Sequence, residues 1–130
     1  MPLVRIDLRA GKPPAYRAEL ADAVHQALVD VIGIPPDDRF HVITEHEPAD
    51  LTFDPGYLGV RRDDDVVFVQ ITLRRGRTVE QKRGLYARIA ELAALRPGVV
   101  PGNILVNLVE VGGEDWSFGD GVAQYAPAGG

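Results

Sequence analysis

The first residues of the chain alternate between apolar and polar side chains. Arg5 and Asp7 separate the apolar members of this run, which are Leu3, Val4, Ile6 and Leu8. Such alternation predicts a β-strand. After a turn at 11–14, apolar residues recur at helical spacing, at Leu20, Val24, Ala27, Leu28 and Val31. They predict an amphipathic helix of about five turns that ends at Gly33. A second strand is predicted to open at Phe40 and to end within residues 45–48.

The second half of the chain shows the same order of elements. Residues 49–62 are rich in Gly, Pro and Asp, which predicts a loop with at most a short hairpin arm. A nearly continuous apolar run follows, made of Val66, Val67, Phe68, Val69, Ile71 and Leu73. This run is typical of a strand buried on both faces in the middle of a parallel or mixed sheet. Thr78 can cap a second helix, and residues 104–111 predict the last strand.

The two halves of the sequence match when one is shifted by 65 positions. The segment Leu8–Lys12 then falls on Leu73–Arg77 without a gap, and Gly33 falls on Gly98. Further matched pairs are Val4 with Val69, Ile6 with Ile71, Leu20 with Leu85, Pro36 with Pro101 and Glu45 with Glu110. Similar element lengths alone do not explain why the turn glycine, the basic residue and both helix stops coincide. We therefore predict a tandem βαβ repeat, with halves at about 2–48 and 66–111.

Two βαβ units in tandem predict the fold class. Because crossovers between parallel strands are right-handed, the expected product is an α/β (α+β) fold with a four-stranded mixed sheet and two helices on one face. A length of 130 residues fits one domain over 1–130, with a C-terminal tail at 112–130. In so short a chain the other sheet face needs a cover, which we expect another subunit to provide.

Composition narrows the classes of function. The net charge of −5 disfavours binding to nucleic acid or to an anionic membrane, so an anion site needs a local cluster of basic residues. The absence of Cys excludes disulfides and thiolate chemistry, and three scattered His residues make a poor zinc set, so no metal is expected. No signal-peptide pattern or membrane-length apolar run is found, and we expect a cytoplasmic protein.

Pro2 is the first candidate for chemistry. A Met that precedes a small residue is normally removed, and removal of Met1 would leave the secondary amine of Pro2 at the N-terminus. A free α-amine has a pKa of about 8, so it can serve as acid or base near neutral pH. Pro is also an ordinary second residue, and its position alone does not separate the two interpretations.

Arg74, Arg75 and Arg77 form the one basic cluster, at the end of the most apolar strand. Guanidinium groups bind carboxylates through paired hydrogen bonds, and a helix N-terminus nearby would favour a small anionic substrate further. The alternative is a solvated turn whose charges pair with Asp63–Asp65 or with Glu80.

Further candidates lie in two loops. Asp37 and Asp38 follow two prolines, where a carboxylate either caps a turn or takes part in chemistry. Trp116 and Phe118 stand in a Gly-rich segment, as a pocket wall or as an interface plug. The three histidines, His25, His41 and His46, are expected to be structural or exposed.

Taken together, these features resemble the tautomerase superfamily. The resemblance rests on Pro2 opening a strand, the tandem βαβ units, and the segments Pro35–Arg39, Glu45–Pro48, Gly76–Lys82 and Asp115–Gly119. It covers essentially the whole chain, and within the superfamily the malonate semialdehyde decarboxylases are the most similar group. It implies that Pro2 is the catalytic proline, that Asp38 is the catalytic carboxylate, and that Arg75 and Arg77 are catalytic residues that bind the substrate.

The resemblance further implies a pocket wall of Trp116, Phe118 and Tyr125, and a homotrimer without a metal or organic cofactor. Gly76 and Tyr125 depart from the family's pattern, which has Pro and Phe there. The implied reaction is decarboxylation of a small β-oxo acid, malonate semialdehyde, to acetaldehyde and CO2. The alternatives are an enol-keto tautomerase or hydratase of 2-oxo acids with Pro2 as base, and a non-catalytic trimeric binding protein.

Overall fold

Two strand–helix–strand units, joined by a long loop, build the protein. A computed structural model describes residues 2–128; Met1, whose removal the sequence predicts, lies outside this range. The elements are β1 (Leu3–Arg9), α1 (Pro14–Ala27), β2 (His41–His46), β3 (Val67–Arg74), α2 (Val79–Leu95) and β4 (Ile104–Val111). No helix in this part of the chain has the length and apolar character needed to span a membrane.

The sheet has the strand order β2-β1-β3-β4. Within each half the two strands are parallel, β1 with β2 and β3 with β4. The halves meet through the antiparallel pair of β1 and β3, in which Leu3 lies opposite Thr72. The predicted four-stranded mixed sheet of two βαβ units is therefore confirmed.

Both helices cover the same face of the sheet, as predicted. The buried core combines one face of β1 and β3 with the inner faces of the helices, and it includes Val4, Ile6, Leu8, Leu20, Val24, Val67, Val69, Ile71, Leu85 and Ile89. The expectation that β3 is buried on both faces is wrong for the single chain. Gln70 on its other face is exposed, because no layer of this chain covers that side.

One local prediction, the end of the first helix, needs correction, and the prediction of a loop at 49–62 is confirmed. The first helix does not continue regularly to Gly33, because the last turn, Leu28–Ile32, is a π-helix closed by a bond from the Gly33 N–H to the Leu28 carbonyl. The loop at 49–62 contains two 3-10 turns and no hairpin. The Arg62 guanidinium donates to three backbone carbonyls of this loop, those of Asp54, Tyr57 and Val60, so it organises the loop in place of strand pairing.

The repeat detected in the sequence appears in the structure as matched local geometry. Gly11 and Gly76, each two residues after the end of β1 or β3, adopt φ values of +120° and +121°. An ion pair joins each helix to the end of the following strand, Arg17 to Glu45 at 2.6 Å and Lys82 to Glu110 at 2.7 Å. Gly33 and Gly98 both have positive φ after their helices.

The turn at Gly11 gives a test of this framework. We expect Gly11→Ala to lower the free energy of unfolding by about 1–3 kcal/mol, because side chains rarely tolerate so positive a φ. A Cβ built at Gly11 meets no atom within 4 Å, so the loss would come from the backbone and not from a clash. Gly56→Ala is the matched control, since its φ is −144° and its Cβ also meets nothing. Urea unfolding of both variants measures the difference, and equal effects would contradict the prediction.

Candidate active site

The pairing of β1 with β3 brings the start of the chain to the end of β3. Leu3 lies opposite Thr72, and continuing this register places Pro2 opposite Leu73, next to the arginine cluster. The Val4 N–H donates to the Phe40 carbonyl at 3.0 Å, which holds the preceding loop at the same end of the sheet. Pro2 itself is buried.

The arginines stand on a tight turn between β3 and α2. The Arg75 N–H donates to the Val111 carbonyl at 2.8 Å, and the Arg77 guanidinium donates to the Arg74 carbonyl at 2.9 Å. Thr78 then starts α2 with a capping box in which its hydroxyl accepts from the Gln81 N–H. The turn therefore presents the guanidinium groups beside the positive end of a helix.

The arginine turn, the loop that carries Asp38 and the C-terminal tail together line a cavity of about 840 Å³ that is open to solvent. Its wall consists of Gly33, Ile34, Pro35, Asp37, Asp38, Arg74, Arg75, Gly76, Arg77, Gln81, Phe118 and Tyr125. Three arginines thus face two carboxylates, which leaves a local excess of positive charge in a protein of net charge −5. An anion is the ligand that such a site favours.

Aromatic residues of the tail form a cluster that contributes to the wall of this cavity. Phe118 and Tyr125 line it with their rings 5.7 Å apart, and Phe40 contacts Phe118 from the other side. Trp116 does not line the cavity but stacks on Phe118 at 5.2 Å, so it supports the wall from behind. Pro2 is also not among the residues that line the cavity.

The alternative, in which the arginines pair with Asp63–Asp65 or Glu80, is wrong. None of the ion pairs among residues 2–128 joins the arginine cluster to these carboxylates. Asp64 and Asp65 instead neutralise Arg9 and Lys12, each at 2.8 Å, on the corresponding turn of the first half. Asp63 accepts from Asn103, and Glu80 pairs with Arg83 within α2. The cluster of the second half is therefore left to face the cavity.

The loop that carries Asp38 is anchored to the helix layer. The Asp38 N–H donates to the Pro35 carbonyl at 3.0 Å, which closes a turn. His25, buried in α1, bonds the Pro36 carbonyl at 2.8 Å. His41 at the start of β2 lies edge-on to His25, and burial, with the nearby Arg39 charge, lowers the pKa of His41 to about 4. His41 is therefore neutral at neutral pH.

The sequence did not point to Gln81 as a site residue. The sequence predicted Thr78 as the cap of the helix, whereas Gln81 completes this cap and also lines the cavity. Its position four residues after Arg77 is the one signal that could have revealed it, because the first turn of a helix faces whatever its N-terminus faces. Among residues 2–128 no group of His, Asp and Glu is arranged to hold a metal ion.

Comparison with known proteins identifies the family. Two family models described as tautomerase enzymes match the chain, one over residues 38–119 and the other over residues 2–61. A probable tautomerase of Bacillus subtilis (strain 168), YusQ, is 39% identical over 124 residues, which span 95% of this chain and 98% of that protein.

Solved structures agree with this assignment. A malonate semialdehyde decarboxylase inhibited by 3-bromopropiolate superposes with a TM-score of 0.89 and 41% identity over 95% of this chain and 93% of the other. A second malonate semialdehyde decarboxylase, described with decarboxylase and hydratase activities, superposes with a TM-score of 0.89. It is 34% identical over 95% of each chain. A fused 4-OT that forms a symmetric trimer superposes with a TM-score of 0.75. It is 25% identical over 92% of this chain and 94% of the other.

The first family model and the relative YusQ together establish the family to which the chain belongs. The model covers more than half of the chain, and YusQ matches nearly all of it. The chain belongs to the tautomerase family of enzymes.

Proposed function

We propose that the protein is a cofactor-independent decarboxylase of a small β-oxo acid, converting malonate semialdehyde to acetaldehyde and CO2. The observation that carries the proposal is that one cavity is lined by Asp38, Arg75 and Arg77. Pro2 does not line this cavity, but the strand register puts it opposite Leu73, next to the arginine turn. The resemblance to two malonate semialdehyde decarboxylases, at 41% and 34% identity, supports the choice of substrate.

The chemistry requires stabilisation of an enolate. When the bond between the α-carbon and the carboxylate breaks, CO2 leaves and the electron pair delocalises onto the carbonyl oxygen. With Met1 removed, the protonated Pro2 amine would donate a hydrogen bond to that oxygen, and protonation of the α-carbon would then give acetaldehyde. On the alternative route the neutral Pro2 amine would condense with the carbonyl, with loss of water, to an iminium that accepts the electrons. Protonation of the resulting enamine at the α-carbon and hydrolysis by water would then release acetaldehyde and restore the amine.

The charged residues of the cavity would prepare the substrate for this step. Arg75 and Arg77 would orient the departing carboxylate so that the bond between it and the α-carbon is aligned with the π system of the carbonyl group. Their contacts must weaken as CO2 leaves, since binding that is equally strong before and during the reaction does not lower the barrier. The Asp38 carboxylate would favour the protonated form of Pro2 and could also position a water molecule.

The second candidate is an enol-keto tautomerase or hydratase of 2-oxo acids. It is supported by the relative YusQ, a probable tautomerase, and by the hydratase activity described for one of the similar decarboxylases. In this mechanism Pro2 is neutral and acts as a base. The third candidate, a non-catalytic trimeric binding protein, requires no chemistry at Pro2.

We also propose that the protein forms a homotrimer. The sheet face opposite the helices leaves apolar side chains in water, with Val42 40%, Leu105 41% and Val109 38% exposed. Burial of such a face against a second copy removes apolar surface from water. The fused 4-OT with the same fold is a trimer, which supports three copies as the arrangement.

The reaction itself is the first test. Purified protein with Pro2 confirmed as its first residue by mass spectrometry should release CO2 and acetaldehyde from malonate semialdehyde. We expect kcat/KM to fall as pH rises through the ionisation of Pro2, with a pKa of about 8 as the reference, because the protonated amine is the active form. A rise through the same ionisation would favour the tautomerase or hydratase mechanism. Absence of product above background would contradict the decarboxylase assignment.

Substitution of Pro2 separates an enzyme from a binding protein. We expect Pro2→Ala to abolish most of the turnover, because a primary amine differs from the secondary amine in basicity and geometry, while circular dichroism and sedimentation stay unchanged. A variant that keeps Met1 should also be inactive, because the Pro2 nitrogen is then part of an amide bond and can neither carry a proton nor act as a base. Full activity of both forms would show that the amine has no part in the reaction.

The arginines give a prediction with an internal control. Arg75→Ala or Arg77→Ala should cost about 2–4 kcal/mol in kcat/KM, through loss of a charge-assisted contact with the carboxylate, while the Tm stays nearly constant. Lys12→Ala removes the cation at the position corresponding to Arg77 in the other half, and should leave kcat/KM unchanged. Lowered Tm with full activity per folded molecule in both arginine variants would identify them as structural.

Association can be tested on the open face of the sheet. Val109→Lys places a charge among the exposed apolar residues of β4 and should shift the protein from trimer to monomer, since burial of an unpaired charge is costly. Leu95→Lys, at a residue 74% exposed on α2, is the control and should leave the trimer intact. Sedimentation equilibrium measures the mass, and a monomeric wild-type protein at micromolar concentration would rule out the trimer.

A further inference from the structure

The side chain of Gln81 is held in place by the start of its own helix. Its Oε1 accepts a hydrogen bond from the Thr78 N–H at 2.9 Å, and the Gln81 N–H donates to the Thr78 hydroxyl at 3.1 Å. In a carboxamide the oxygen accepts hydrogen bonds and the nitrogen donates them, so the group facing the Thr78 N–H is the oxygen. The capping box thus fixes the amide through its acceptor.

The amide nitrogen of Gln81 is left for another partner. Within residues 2–128 the hydrogen bond made by the side chain uses Oε1, and none uses Nε2. Nε2 carries two N–H donors. Since Gln81 also lines the cavity, these donors are available to a molecule bound there.

The neighbours of Gln81 in the cavity wall are donors as well. Arg75 and Arg77 line the same cavity, and a guanidinium group has several N–H donors and no acceptor. A carboxylate offers about four lone-pair sites on its two oxygens, so two guanidinium groups do not exhaust it. An uncharged donor beside the arginines therefore fits the same anionic ligand.

The first half of the chain forms the corresponding helix start without this amide. The shift of 65 positions places Pro13 on Thr78 and Tyr16 on Gln81. Pro13 makes no side-chain capping bond, and the Tyr16 ring lies 5.0 Å from the Lys12 ammonium. None of these three residues lines the cavity. The scaffold therefore does not require an amide at this position, and the amide occurs in the half whose turn lines the cavity.

We propose that Gln81 is a substrate-binding residue, whose Nε2 donates a hydrogen bond to the substrate carboxylate beside Arg75 and Arg77. The inference rests on the proposed function and extends its carboxylate site to an uncharged residue. Because the Thr78 N–H already holds the amide, little side-chain freedom is lost when the substrate binds. The contact is made with the bound substrate, so its loss affects KM more than kcat.

Two substitutions separate the donor from the helix cap. Gln81→Glu keeps an oxygen for the Thr78 N–H and so retains the capping box, but its carboxylate has no N–H to donate. Gln81→Met removes the donor and the cap without adding a charge. We expect both variants to raise KM for malonate semialdehyde about tenfold or more, with kcat little changed, because a hydrogen bond to a charged group is lost. An unchanged KM in Gln81→Met would overturn the proposal.

Two control variants test the cap and the charge by themselves. Thr78→Ala removes the capping hydroxyl but keeps the backbone N–H that holds the Gln81 oxygen, so it should lower the Tm and leave KM unchanged. Val79→Glu adds a negative charge to the same helical turn, at a residue that is 61% exposed and does not line the cavity. Its KM should stay within about twofold of the wild-type value. If either control raised KM as much as Gln81→Met, the donor would not be the cause and the proposal would be wrong.

A titration with malonate observes the contact without turnover. The side-chain NH2 signals of Gln81 in the NMR spectrum, assigned by their absence in Gln81→Met, should shift in step with the Nε–H signals of Arg75 and Arg77. Malonate should also bind Gln81→Met about tenfold more weakly or worse. If wild-type protein turned over no β-oxo acid, the proposed function would fail, while this titration would still decide whether the amide binds a carboxylate. Unmoved Gln81 signals at saturation, or no binding of malonate, would refute the inference.

Discussion

The antiparallel pairing of β1 with β3 is the constraint on which the rest of the structure depends. Each βαβ half is parallel within itself, so its strands end at one edge and its helix returns over one face. Joining two such halves through antiparallel central strands puts the start of the first beside the end of the third. Pro2, the turn at Arg75–Arg77 and the N-terminus of α2 consequently meet at one end of the sheet.

The same framework is used differently in its two halves. Both contain the turn glycine and the ion pair that joins the helix to the strand end, at Glu45 and at Glu110. On the turn of the first half, Arg9 and Lys12 form ion pairs with Asp64 and Asp65. These two cations are therefore already neutralised by carboxylates of the chain. In the second half the tail supplies aromatic rings that wall the cavity instead. The same scaffold is built twice, and different residues at a few positions leave an arginine-lined cavity beside one copy of the turn.

Electrostatics explain why this cavity would favour an anion in a protein of net negative charge. Several cations of the described chain are paired across elements, as in Arg17 with Glu45 or Arg88 with Asp30. Exposed pairs of this kind contribute little to stability, but they cancel long-range fields of both signs. Arg74, Arg75 and Arg77, which line the cavity, take part in none of the ion pairs among residues 2–128. A small carboxylate would be drawn to them, whereas a polyanion would meet the net negative charge of the whole chain.

The sequence by itself determined the elements, the repeat and the arginine turn, because these depend on local periodicity, turn residues and register within about ten residues. It could not show that β3 is exposed on one face, that Arg62 organises the long loop, or that Gln81 lines the cavity. It also left open whether the arginines pair with Asp63–Asp65. Those outcomes depend on which segments, distant in sequence, the central strand pairing brings into contact. Only the tertiary structure places the acidic residues on one turn and leaves the arginines of the other facing the cavity.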